Sequence, residues 1–70
     1  MKFYEVFLEL LNGGQAAVGK TSLKLAEGNP FQAAIAAEEL VDKSYGNILT
    51  SHAFKVEKIS KAEFMLGLVA

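Results

Sequence analysis

The chain contains no cysteine, no arginine and no tryptophan, and its 70 residues include one proline and one histidine. Without cysteine, a disulfide scaffold and every thiolate metal site are excluded. Without arginine, the bidentate contacts that often recognise phosphates and base edges are missing as well. We therefore expect a single small domain covering residues 1–70 that binds no metal and no cofactor.

Long apolar runs are also missing. The apolar tail at residues 64–70 is far shorter than the roughly 18 residues that a membrane-spanning helix needs. Near the start of the chain, Glu5 and Glu9 interrupt what would be the apolar segment of a secretory leader. We expect a cytoplasmic protein that does not associate with membranes.

What the chain has in excess is apolar residues. Hydrophobic residues make up 51% of the chain. The usual reference range for soluble domains, about 45–50%, counts Gly but not Tyr as apolar. Counted in that way, with the six Gly and without the two Tyr, the apolar fraction of this chain is about 57%. Small domains have more solvent-accessible surface for their volume than large ones, so they should contain a smaller fraction of apolar residues than average. Some of the surplus is Ala on a helix surface. The rest favours a partner, most simply a second copy of the chain.

The segment from Lys2 to Leu11 fits either of two periodicities. Read as a helix, it has an apolar stripe that begins at Phe3; read as a strand, it has one wholly apolar face, formed by Tyr4, Val6, Leu8 and Leu10. Its aromatic content and the Asn12-Gly13 pair that follows favour a strand that ends in a tight turn. Alternation from Thr21 to Ala26 predicts a second strand, which ends at Gly28.

A helix is predicted from Pro30 to about Ser44, with Asn29 as its N-cap and Gly46 as its stop. Five residues share its apolar side: Ala33, Ala37, Leu40, Val41 and Ser44. On the other side, we expect the carboxylates of Glu38, Glu39 and Asp42 to be solvated rather than to act as an acid–base pair.

Residues from Ile48 to Ile59 alternate again and predict a third strand, in which His52 shares a buried face with Phe54 and Val56. This placement favours a core histidine over a metal ligand or a base. Ser60 followed by Glu63 fits a capping box and predicts a short C-terminal helix. A fourth strand from Glu63 to Val69 is the alternative.

The segment from Gly14 to Thr21 matches the phosphate-binding string G-x-x-x-x-G-K-[ST]. That chemistry needs a helix that begins at Lys20, so that its backbone N–H groups face the phosphates. The alternation after Lys20 is instead typical of a strand. The acidic magnesium partner is also missing, since the chain's single Asp lies inside the predicted helix. We therefore expect no nucleotide site here.

Together these elements predict a small α+β domain of ββαβ type. Its three-stranded antiparallel sheet has the order 2-1-3, with one helix on one face and a short C-terminal helix or strand. The small size and the lack of a catalytic constellation favour a protein that is not an enzyme, of the kind found among accessory proteins of phages and other mobile elements.

We expect a non-catalytic protein-interaction module that forms a homodimer. The predicted interface is Phe3, Phe7, Leu11, Phe64, Leu66 and Leu68. The alternative is a weak single-stranded nucleic-acid binder that stacks bases on Phe3 and Phe7 beside the strand lysines. Glu5 and Glu9 flank these rings and would repel a phosphate backbone, so nucleic acid is the less favoured partner.

Overall fold

A computed structural model describes residues 1–13, 16–46 and 48–69, with the backbone alone for residues 67–69. Its elements are β1 (Lys2–Asn12), β2 (Ala16–Glu27), α1 (Pro30–Ser44), β3 (Leu49–Ile59) and α2 (Lys61–Val69). The strands form one antiparallel sheet in the order β2-β1-β3. The predicted α+β class and strand order are confirmed, and the C-terminal segment is a helix rather than a fourth strand.

The central strand β1 alternates between a buried and a half-buried face. Its buried residues are Tyr4, Val6, Leu8 and Leu10, the apolar face predicted from the sequence. Aromatic and β-branched side chains suit this position because a central strand is packed on both sides. After β1, Gly13 has a φ of 63°, in the left-handed region that glycine adopts at little cost. The rest of the predicted turn, Gly14 and Gln15, lies outside the described residues.

Helix α1 has the predicted bounds because both of its ends carry strong signals. The side-chain oxygen of Asn29 accepts a hydrogen bond from the Gln32 N–H at 2.9 Å, and Pro30 occupies the first turn. After the helix, Gly46 has a φ of 60°, as expected for a glycine stop.

Helix α1 lies close to the sheet because small residues face it. Ala33, Ala37 and Val41 are buried and form the core together with the apolar face of β1. The predicted core position of Leu40 is wrong, since this side chain is 53% exposed. The reason is the placement of the helix, which packs more extensively on β3 than on β2 and leaves its β2 side largely uncovered.

Helix α2 packs against the sheet face opposite α1, called here the reverse face. Ser60 Oγ accepts a hydrogen bond from the Glu63 N–H at 3.1 Å, which fits the predicted cap. The Phe64 ring lies 4.8 Å from that of Phe3, centroid to centroid, and Ile59 is buried beside them. The helix thus covers the Phe3 end of the reverse face. Within the described ranges, no helix combines the length and the apolar character needed to cross a membrane.

A β-bulge in β3 reverses the predicted orientation of its first half. The register with β1 passes from Phe7–Lys55 to Leu8–Ala53, so Phe54 is the extra residue. One extra residue moves the side chains that precede it to the other face. As a result, Val56 packs against the core while His52 is exposed on the reverse face, and the prediction of a core histidine is wrong.

Candidate interaction surfaces

The reverse face is a grid of rows in which the central residue, from β1, alternates between apolar and charged. Each row holds one residue from β2, one from β1 and one from β3. In order, the rows are Ala26–Phe3–Ile59, Lys24–Glu5–Glu57, Ser22–Phe7–Lys55, Lys20–Glu9–His52 and Ala17–Leu11–Thr50. The grid follows directly from the alternation of β1, which places Phe and Glu in turn on this face.

Two aromatic rings on the reverse face are covered by lysines of the same chain. The Lys55 Nζ lies 5.2 Å from the centroid of the Phe7 ring, and the Lys20 Nζ lies 5.5 Å from that of Phe54. Such cation–π contacts are worth about 0.5–1 kcal/mol at exposed sites, and the lysine stems shield the rings from water. Phe7 is therefore half-buried without any contribution from a second chain.

The charges of the reverse face balance one another. Three lysines (Lys20, Lys24 and Lys55) share the face with three glutamates (Glu5, Glu9 and Glu57). The Lys55 ammonium lies 2.8 Å from a Glu57 carboxylate oxygen, and the Ser22 hydroxyl donates to Glu5 at 3.1 Å. Exposed pairs of this kind add little stability, but they leave the face close to neutral.

The structure brings four of the six residues of the predicted interface together on the reverse face. Phe3, Phe7 and Leu11 lie along β1 on the reverse face, and Phe64 joins Phe3 in a contact within the chain. Leu66 is 67% exposed on α2. The side chain of Leu68 lies outside the described residues. Their role in an interface stays a prediction, and the exposed Phe54 is a residue of this face that the sequence pattern placed in the core.

Two carboxylates of α1 are tied to β3 instead of being solvated. The Ala53 N–H donates to Glu38 Oε2 at 2.9 Å, and the Ser51 hydroxyl donates to Asp42 Oδ1 at 2.8 Å. The expectation of solvated side chains is wrong for these two residues, while Glu39 is exposed as expected. Their positions one turn apart on the helix gave no sign of this contact, which depends on where β3 lies.

The segment that resembles a phosphate-binding loop lies in a strand. Lys20 and Thr21 belong to β2, and the Lys20 ammonium lies over the Phe54 ring. The strand predicted after Lys20 is confirmed, so the backbone N–H groups there do not form the helix N-terminus that a phosphate would need. Gly14 and Gln15, at the start of the string, lie outside the described residues.

A second surface, not predicted from the sequence, follows the outer edge of β2. This strand is an edge strand, and its core-facing residues Leu23 and Leu25 are only half-buried. The exposed Leu40 of α1 lies on the same side of the molecule. At about 100° per residue, Leu40 is across the buried Ala37 from Glu38, which contacts β3. This surface of Leu23, Leu25 and Leu40 is called here the β2 edge surface.

In the described part of the chain, no group of three or more His, Asp or Glu lies close enough to hold a metal ion. A comparison with protein-family models found no match, and comparisons with curated proteins and with solved structures found no significant one.

Proposed function

We propose that this protein is a non-catalytic protein-interaction module that acts as a homodimer in the cytoplasm. The observation that carries the proposal is its exposed apolar surface. In the described part of the chain, ten large hydrophobic side chains are exposed, whereas eight hydrophobic residues are buried. Single exposed apolar residues are ordinary. An excess of exposed over buried ones in so small a domain favours a second chain that covers part of them.

The arrangement of the carboxylates supports a non-catalytic role. Glu38 and Asp42 accept hydrogen bonds from β3 and so help to hold α1 on the sheet, and Glu57 pairs with Lys55 at the surface.

The homodimer is tested by light scattering over a concentration series. We expect about twice the chain mass of 7.5 kDa. We also expect this mass to persist in about 1 M NaCl, where the Debye length falls to about 3 Å and surface charge pairs are screened. A mass of one chain at every concentration would contradict the homodimer and leave the exposed residues as a surface for a different protein.

Single-stranded nucleic acid is the second candidate partner. Its support is the reverse face, where Phe7 and Phe54 each lie beside a lysine, as bases and backbone would require. The three glutamates on the same face oppose it. We therefore expect no change in the fluorescence anisotropy of labelled oligonucleotides at micromolar protein. Binding that weakens steeply with salt, and less steeply in Lys20→Ala, would favour this candidate instead.

A further inference from the structure

We propose that two copies of the chain pair antiparallel through the outer edges of β2, about a two-fold axis at Leu23. The two sheets then form one six-stranded sheet in which the two β2 strands are central neighbours. This inference rests on the proposed homodimer and names its interface.

The two edges of the sheet differ in what occupies them. Both β2 and β3 are edge strands, but at the β3 edge one backbone N–H, that of Ala53, already donates to Glu38 of α1. At the β2 edge, no strand is paired among the described residues. β2 is 12 residues long and contains no proline. An open edge of this kind presents a row of unpaired backbone groups to another strand.

Of the two lysines of β2, Lys20 does not protect this edge. Lysines on edge strands commonly oppose pairing, because a charged side chain extends past the edge. Here the Lys20 ammonium lies over Phe54 of β3, so its side chain crosses the sheet away from the β2 edge. Lys24 lies opposite Glu5 in the register with β1 and is exposed, so a favourable register must keep it away from the lysines of the second copy.

The position of the axis follows from a second bulge. The register between β1 and β2 passes from Leu10–Gly19 to Leu11–Ala17, so Val18 is the extra residue and the regular part of β2 runs from Gly19 to Glu27. Leu23 is the midpoint of this stretch. A two-fold axis at Leu23 therefore allows the whole regular stretch to pair with its copy.

Repulsion between lysines of the two β2 strands favours the same axis. With the axis at Leu23, Lys24 lies opposite Ser22 of the second copy. An axis at Ser22 would place Lys20 opposite Lys24, and an axis at Lys24 would place this residue opposite itself. Like charges directly opposite one another destabilise a strand pair, which disfavours the axis at Lys24 directly and the axis at Ser22 less, because the Lys20 ammonium lies over Phe54.

The apolar residues of the β2 edge surface gain cover in this dimer. A two-fold axis perpendicular to the sheet keeps both α1 helices on the same side, so the core-facing sides of the two sheets become continuous. Leu23 then faces its own copy, and the 53% exposed Leu40 of each chain lies on the side of α1 that faces away from β3, toward the second sheet. The interface thus buries residues that a single chain leaves half-covered.

Because the chain has no cysteine, a single introduced cysteine reports the register directly. Residues opposite one another in an antiparallel pair have Cα atoms about 4.5–5.5 Å apart, within the about 4.4–6.8 Å that a disulfide spans. Leu23→Cys should form a disulfide-linked dimer on mild oxidation. The matched control Leu25→Cys lies on the same face but opposite Thr21 of the second copy, and it should stay monomeric in a non-reducing gel. Equal cross-linking of both variants would overturn the register.

Two lysine substitutions at exposed helix positions separate this surface from the reverse face. Leu40→Lys should raise the dimer dissociation constant at least tenfold, while Leu66→Lys on α2 should leave it unchanged. Circular dichroism checks that both variants fold. A dimer that Leu66→Lys weakens, while Leu40→Lys and Leu23→Cys have no effect, overturns this interface but keeps the proposed homodimer. A wild-type chain that is monomeric in light scattering overturns both.

Discussion

The hydrogen bond between Glu38 and the Ala53 N–H offers a sharp test of how α1 is held on the sheet. Replacing Glu38 by Ala removes the acceptor and leaves a half-buried backbone N–H at the β3 edge. Hydrogen bonds to charged groups contribute about 1.5–3 kcal/mol, and an unpaired buried donor costs about 1–3 kcal/mol. Water can reach part of this edge, so we expect a loss of about 1–2 kcal/mol in the free energy of unfolding.

That loss is large for this domain. At about 0.05–0.15 kcal/mol per residue, a chain of 70 residues has roughly 4–10 kcal/mol of stability in total. In a domain of this size, a loss of about 1–2 kcal/mol lowers the melting temperature by roughly 4–16 °C. Urea unfolding followed by circular dichroism measures the same loss as a shift of the midpoint at constant slope.

The neighbouring residue supplies the control. Glu39→Ala changes the same side chain in the same helix, but Glu39 is exposed. The small gain in helix propensity from Glu to Ala is common to both variants and cancels in their difference. We expect Glu39→Ala to stay within about 0.5 kcal/mol of the wild type. Glu38→Gln, which keeps an acceptor oxygen, should recover at least half of the loss. Equal stability of the two alanine variants would refute the argument.

Three further outcomes follow from the fold. Asn29→Ala removes the cap of α1 and should cost about 0.5–2 kcal/mol in urea unfolding, with Asn29→Ser close to the wild type. Leu8→Ala empties a fully buried site and should cost about 2–5 kcal/mol, whereas Leu11→Ala, on the half-buried face of the same strand, should cost clearly less. Calorimetry of Lys20→Ala and wild type with ATP and magnesium should show no heat of binding for either, and heat that only the wild type shows would contradict the strand assignment of this segment.

The parts of the fold that depend on local signals were predictable. The bounds of α1 follow from Asn29, Pro30 and Gly46, each of which acts through the backbone within one turn. The central position of β1 follows from its dense apolar alternation. The start of α2 was found from the cap at Ser60, although periodicity alone left a strand open.

The parts that depend on a single inserted residue were not predictable from the pattern. Alternation fixes which residues share a face only while the register is unbroken, and the bulge at Phe54 is a property of the pairing between two strands. It moved His52 from the predicted core to the surface. The exposure of Leu40 could not be predicted from the pattern either, because it depends on where α1 packs on the sheet. Glu38 and Asp42 bond to β3, so α1 lies toward that strand. Because α1 lies toward β3, the residues of the β2 edge surface are left only partly covered.

The difference between the two sheet edges also bears on how far the proposed assembly can proceed. A sheet with two open edges can pair with a further copy at each edge and so grow into a fibre. A sheet with one open edge can pair with only one further copy. In the proposed dimer, pairing through β2 uses the more open of the two edges, because Glu38 of α1 already occupies the Ala53 N–H at the β3 edge. In that dimer, the carboxylate that anchors the helix also opposes the addition of a further strand beside Ala53.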